Sequence, residues 1–102
     1  MPLASRAGLE LGPLCEAVSS GTGQSFGFDQ WAPRVLRREF EAPRYGYPMG
    51  SAYKDFETLR EAADECSAGG LPPVVAAAHE TYQRALAQGF GGEHKGAMVK
   101  VW

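Results

Sequence analysis

The sequence has little of what usually identifies a small protein's chemistry. Cysteine occurs only at Cys15 and Cys66, without the dense spacing of a disulfide framework or a CxxC pair. His79 and His94 are the only histidines and lie fifteen residues apart with neither cysteine nearby, which argues against the close ligand pairs of a zinc site. Neither charge dominates: ten Lys and Arg stand against twelve Asp and Glu, a formal net charge of -2. No global positive field exists to draw the chain to nucleic acid or an anionic membrane. Apolar residues nowhere run together for the roughly eighteen positions of a membrane span, and the opening MPLASRAGLELG has neither the basic nor the apolar region of a secretory signal. The expectation is a soluble, cytoplasmic protein with no membrane or nucleic-acid partner and with two reduced, buried thiols.

What the sequence does have is punctuation. Thirteen glycines and seven prolines fall in clusters, as they do where helices are separated by sharp loops. At 102 residues, 44% hydrophobic and 11% aromatic, the chain suffices for one domain, with a radius of gyration of about 13 Å if compact. Leu3 to Leu9 reads as a helix tail stopped at Gly8. Pro13 suits a first helical position ahead of the Leu14, Cys15 and Val18 stripe, and Ser19 to Gly21 ends that helix. SSGTGQS, Ser19 to Ser25, is a loop whose backbone N–H groups and hydroxyls are open to a ligand, although it lacks a P-loop lysine. Phe28, Trp31, Val35 and Leu36 recur at helical spacing, and Pro33 puts the start of the regular helix near Ala32. Arg34, Arg37 and Arg38 read as a solvated face, with phosphate contact as the lesser alternative.

FEAPRYGYPMG, Phe40 to Gly50, reads as an irregular crossing. The best helix follows, from Ser51 as its cap to Ala68, with Ala52, Phe56, Leu59, Ala63 and Cys66 on one seam and Gly69-Gly70 as its end. A second strong helix spans Pro73 to Gln88 and stops at Gly89. GFGGEHKG is a loop, and Met98 to Trp102 opens a further apolar element. No segment alternates with period two, so the fold class is all-α: a compact multi-helix domain over residues 1–102 with no Rossmann domain. No GxSxG elbow exposes a serine, and His79 beside Glu80 reads as a surface or half-buried side chain. Lys54-Asp55, next to the crossing, is the charged pair best placed to face a cleft. Adjacent helix positions point about 100° apart, so the two need different partners, and Lys54 with Glu57 at i, i+3 is the structural alternative.

Taken in order, the RAGL helix end, SSGTGQSF, YKDFETLREAADE and LPPVVAAAHETYQRALAQGFGGEH resemble the C-terminal helical domain of the β-hydroxyacid dehydrogenases. This family includes 3-hydroxyisobutyrate dehydrogenase, tartronate semialdehyde reductase and the imine reductases, and the domain is like the C-terminal domain of 6-phosphogluconate dehydrogenase. The resemblance spans nearly the whole chain and is most specific at Lys54, Asp55, Tyr82, Ala85, Gly89 and Gly91. It implies a parent oxidoreductase using NAD or NADP, in which this domain closes the substrate cleft and makes dimer contacts. It also implies site roles: Lys54 reaches toward cofactor and substrate, Asp55 is its partner, and Phe26, after Ser25, walls the pocket. The family's catalytic lysine and its GxGxxG have no counterpart here, so no catalytic residue, no metal and no cofactor are expected for the isolated chain, which should be inactive alone. GGEHKGAM departs from the family, which usually has an acidic residue at Gly92 and a small hydroxyl residue near Gly96. A homodimer or a Rossmann-domain partner is expected. The readings to separate are a domain of a longer or split enzyme, a stand-alone helical module that self-associates, and an independent enzyme with a new site.

Overall fold

The computed structural model describes residues 1–66 and 69–102. Six α-helices and a closing 3₁₀ helix run in the order α1 Pro2–Arg6, α2 Leu11–Ser19, α3 Phe26–Leu36, α4 Ala42–Tyr45, α5 Met49–Glu65, α6 Pro73–Ala87 and the 3₁₀ helix Lys95–Val101. Among the described residues no strand forms; Glu41 with Glu93 and Pro48 with His94 make isolated antiparallel bridges. The architecture is all-α, as the periodicity predicts.

Three α-helix starts differ from the sequence reading. α2 begins at Leu11, two residues ahead of Pro13. α3 begins at Phe26, six residues ahead of Ala32, because the Ser25 hydroxyl accepts the Phe28 N–H at 3.1 Å and nucleates the first turn. Pro33 therefore lies inside the helix, exposed, where it forfeits one ladder bond. α5 begins at Met49, and Ser51 does not cap it. The backbone N–H groups of Met49 and Gly50 instead donate to the carbonyls of Glu93 at 2.8 Å and Gly91 at 2.9 Å. A Cβ at position 50 would approach the Gly91 carbonyl oxygen to 3.3 Å, so the close approach favours glycine. α5 ends at Glu65 with Cys66 as C-cap; the expected end at Ala68 lies outside the described residues. The crossing is less irregular than expected, since Ala42–Tyr45 makes a helical turn.

Three helix ends share one design, with one departure. In α1 and α6 the C′ position is glycine, Gly8 (φ 78°) and Gly89 (φ 85°). Each donates to the C2 carbonyl at 3.0 Å while the next N–H reaches the C3 carbonyl at 3.0 Å, the Schellman arrangement. α3 closes in the same way, Arg38 N–H to Val35 at 3.1 Å and Glu39 N–H to Arg34 at 3.0 Å, but its C′ residue is Arg38 at φ 58°. Among the described residues no other non-glycine side chain sits at positive φ, a conformation that costs an L-residue about 1 kcal/mol relative to glycine.

The core is small. Met49, Ala85 and Ala97 are buried, with Phe40, Tyr82, Leu86, Phe90, Met98 and Val101 packed around them. His94, fully buried, joins this core to α3. Its Nε2–H donates to the Glu39 carbonyl at 2.6 Å, its Nδ1 accepts the Gly96 N–H at 2.8 Å, and its ring lies 4.8 Å from that of Trp31. Between α5 and α6, His79 is buried rather than at the surface, donating from Nε2 to Glu57 at 2.5 Å and stacking on Tyr53 at 5.1 Å. Hydrogen bonding from the Tyr53 hydroxyl, then from His79 and Arg60, holds the Glu57 carboxyl below its usual range. Cys15 is buried, and burial pushes its thiol up; Cys66, by contrast, is exposed, because the apolar seam of α5 gives out at the helix end.

The radius of gyration is 15.2 Å and the extents are 44 × 30 × 24 Å, larger than the compact expectation. The accessible surface of 6630 Å² exceeds by about 1,000 Å² the area typical of a monomer of this mass. Leu3, Phe26 and Val74 stand more than four-fifths exposed, at 82%, 81% and 83%.

Arg38→Gly relieves the strained C′ position and raises Tm by about 4 °C in a calorimetric scan. Gly96→Ala sets a methyl against the His94 ring and 3.2 Å from Val35 Cγ2, and costs about 2 kcal/mol in urea unfolding. Because the folded pKa of Glu57 is depressed, its stabilisation is full above the unfolded value and is lost as pH falls through the folded one. Glu57→Gln should therefore flatten part of the Tm decline below about pH 4.5, the share belonging to Asp29 and Glu39, which are also depressed, remaining.

Candidate functional site

Lys54 and Asp55 lie on the second turn of α5, both exposed. Glu57, the expected structural partner of Lys54, is instead taken by His79 and by Arg60 at 3.2 Å. The Lys54 ammonium has no hydrogen-bond or ion-pair partner among the described residues. Asp55 has one: the Tyr47 hydroxyl donates to its Oδ2 at 3.4 Å. Burial pushes the Tyr47 phenol up, followed by the charge of Asp55 and its hydrogen bond. Tyr82 of α6 is also pushed up, by burial first and then by Asp55. The Asp55 carboxylate thus acts on two tyrosines, one from the crossing and one from α6. Sequence reasoning missed Tyr47; its signal was an aromatic residue following Gly46 at the mouth of the crossing.

Ser25 and Phe26 belong to a different edge. The Ser25 oxygen is spent on the α3 cap, and the Phe26 ring projects into solvent at the first position of the helix. Among the described residues no hydrogen bond, ion pair or ring contact joins Ser25 or Phe26 to Lys54 or Asp55. The two edges are connected through the crossing, where Gly46 packs on Trp31 of α3 with φ 130° and room for a Cβ only at 3.1 Å from the indole. The glycine-serine loop is less open than its composition implies. Ser19 donates to Asp29 at 2.6 Å, Gln24 to the other Asp29 oxygen at 2.7 Å, and Ser20 to the Ala17 carbonyl at 3.3 Å. These bonds hold the Asp29 carboxyl below its usual range, Ser19 contributing most.

The site is therefore an open shelf with one unpaired cation, one oriented carboxylate and flanking phenols, and the apolar Phe26 ring stands apart at the start of α3. Such a shelf can bind and orient an anion as a point charge, and it contains no nucleophile activated by a base. Neither the cleft beside α1 and the 3₁₀ helix nor the hollow between α1 and Trp102 includes its residues. Among the described residues, no group of three or more His, Cys, Asp or Glu could hold a metal ion, and no helix is long and apolar enough to cross a membrane.

The model of one protein family, described as the NAD-binding part of NADP-dependent 3-hydroxyisobutyrate dehydrogenase, matches residues 1–102. L-threonate dehydrogenase of Cupriavidus necator is 25% identical over 103 residues, which cover 100% of this chain and 33% of that protein. The chain thus spans about a third of the length of the curated relative it matches. A crystal structure of 3-hydroxyisobutyrate dehydrogenase from Salmonella typhimurium superposes with a TM-score of 0.86 at 22% identity, over 99% of this chain and 34% of that one, and shows the same fold. On the family match over its whole length, the chain belongs to the NAD-binding family of NADP-dependent 3-hydroxyisobutyrate dehydrogenase.

Proposed function

We propose that residues 1–102 are the C-terminal helical domain of an NAD(P)-dependent 3-hydroxyacid dehydrogenase-like oxidoreductase of the cytoplasm. In this reading the domain is one wall of a cleft whose dinucleotide-binding half is a Rossmann-type domain outside these residues. The observation that carries it is the unpartnered Lys54 ammonium beside the Tyr47-braced Asp55, on the shelf of a chain that matches the family throughout. When bound, the cofactor supplies or accepts the hydride. This chain's residues bind and orient: Lys54 sets a positive point charge against a phosphate or carboxylate. Asp55, held by Tyr47, fixes the charge pattern beside it, and on the separate edge at the start of α3 the Ser25 cap sets Phe26, which offers an apolar wall apart from the shelf. No residue here abstracts a proton or transfers a hydride, so the isolated chain is catalytically silent.

Association with a second copy is the companion reading. The extra exposed surface, with Leu3 and Val74 almost fully in water, favours a homodimer, or a stand-alone self-associating module if no cofactor domain accompanies the chain.

The test is an NMR titration of the chain with NADPH and NADH after light scattering has fixed its oligomeric state. Half a cleft gives saturable amide shifts over residues 47–55 with a Kd of about 1 mM, some −4.1 kcal/mol, abolished by Lys54→Met. Absence of shifts there, or shifts indifferent to Lys54→Met, removes the site assignment. Binding tighter than about 100 μM would mean that the chain holds a complete cofactor site, against the half-cleft reading.

A further inference from the structure

A cleft of about 610 Å³ opens between α1, the end of α3 and the 3₁₀ helix, and none of the residues discussed for the cofactor shelf lines it. Leu11, Val35, Phe40 and Val99 give it apolar walls, and Arg38 and Lys100 are the two cationic side chains at its lining. The two cations differ in availability. Lys100 is neutralised by Glu93, 2.6 Å from its Nζ, and lies 4.3 Å from the centre of the Phe40 ring. Arg38 has no hydrogen-bond or ion-pair partner among the described residues. It is also the residue placed, at φ 58°, where the otherwise identical ends of α1 and α6 carry glycine. A long cation kept at a position that favours glycine, and lining an apolar cleft, is strain at a place where it has a use.

We propose that this cleft binds an organic monoanion: a carboxylate on an aliphatic body, its head group paired with the Arg38 guanidinium and its chain lying against Val35, Phe40 and Val99. The planar Arg38 guanidinium matches a carboxylate in two-point contact, and a cleft of this volume lies within the range that encloses small ligands.

The probes are octanoate, butanoate, octylamine and 1-octanol, titrated into the chain by calorimetry with amide shifts read in parallel. Octanoate should saturate with shifts centred on residues 35–40 and 97–101, and each methylene added from butanoate to octanoate should tighten binding about threefold to fourfold. Octylamine should not bind, and 1-octanol should bind at least about tenfold more weakly than octanoate. Arg38→Gly, which the fold predicts to be at least as stable as the parent, should weaken octanoate at least about tenfold and leave the response to 1-octanol unchanged. The proposal is overturned if octanoate shows no saturation at millimolar concentration, if octylamine binds comparably, or if Arg38→Gly binds octanoate as the parent does. These readouts do not involve residues 47–55, so failure here and failure of the cofactor reading are told apart.

Discussion

Much of this domain hangs on the segment from Gly91 to Gly96 and on the His94 ring within it. A chain this short has few apolar side chains to bury, and its core centres on three small or flexible residues. Register is therefore set by polar groups taken out of water. The His94 ring uses both nitrogens, one on the end of α3 and one on the start of the 3₁₀ helix, while its backbone N–H reaches the Phe40 carbonyl at 3.0 Å. The carbonyls of Gly91 and Glu93 close the start of α5. Buried polar groups are costly unless satisfied, so this loop has few alternative arrangements, and α3, the crossing, α5 and the 3₁₀ helix are fixed together.

That constraint positions the shelf. Because α5 starts on the 91–93 carbonyls, Lys54 and Asp55 emerge one turn later, beside the end of the crossing, and Tyr47 meets Asp55 there. The half-buried His79–Glu57 pair farther along α5 bears on the shelf as well. By occupying Glu57 it denies Lys54 its helical partner and leaves the ammonium available. A helix start already satisfied by backbone carbonyls offers no spare N–H groups to an anion, so in the proposed reading the lysine side chain is what α5 offers to one.

The surface complements this picture. The domain has about 1,000 Å² more accessible area than is typical of a monomer of its mass, with isolated apolar side chains standing in water, which is the feature the proposed association rests on. Arg38 is the opposite kind of exception, a local conflict between backbone preference and residue identity. Minimally frustrated sequences retain few such conflicts, and those they do retain concentrate at sites of use.

Most helix bodies, though not the short α4, were legible in the sequence because their signals are local: apolar spacing in α5 and α6, Gly8 and Gly89 at helix ends, Pro73 at a start. The placement of Lys54 and Asp55 on α5 was legible for the same reason, on a strongly periodic helix beside a proline-rich crossing. Tertiary structure decided what depends on residues distant in sequence. The α5 start moved from Ser51 to Met49 because carbonyls more than forty residues away satisfied its N–H groups. α3 ran through Pro33 because one lost ladder bond is less than a capped and packed helix gains. His79 was drawn inside by Glu57 and Tyr53, Cys66 was left outside, and Tyr47 reached Asp55 only after the crossing had folded back. The sequence by itself determined the all-α class and the family, since periodicity, caps and motifs are properties of neighbouring residues. Which side chains pair, which stay free and where the clefts open was decided by the tertiary structure, because burial and hydrogen-bond satisfaction are properties of the packed whole.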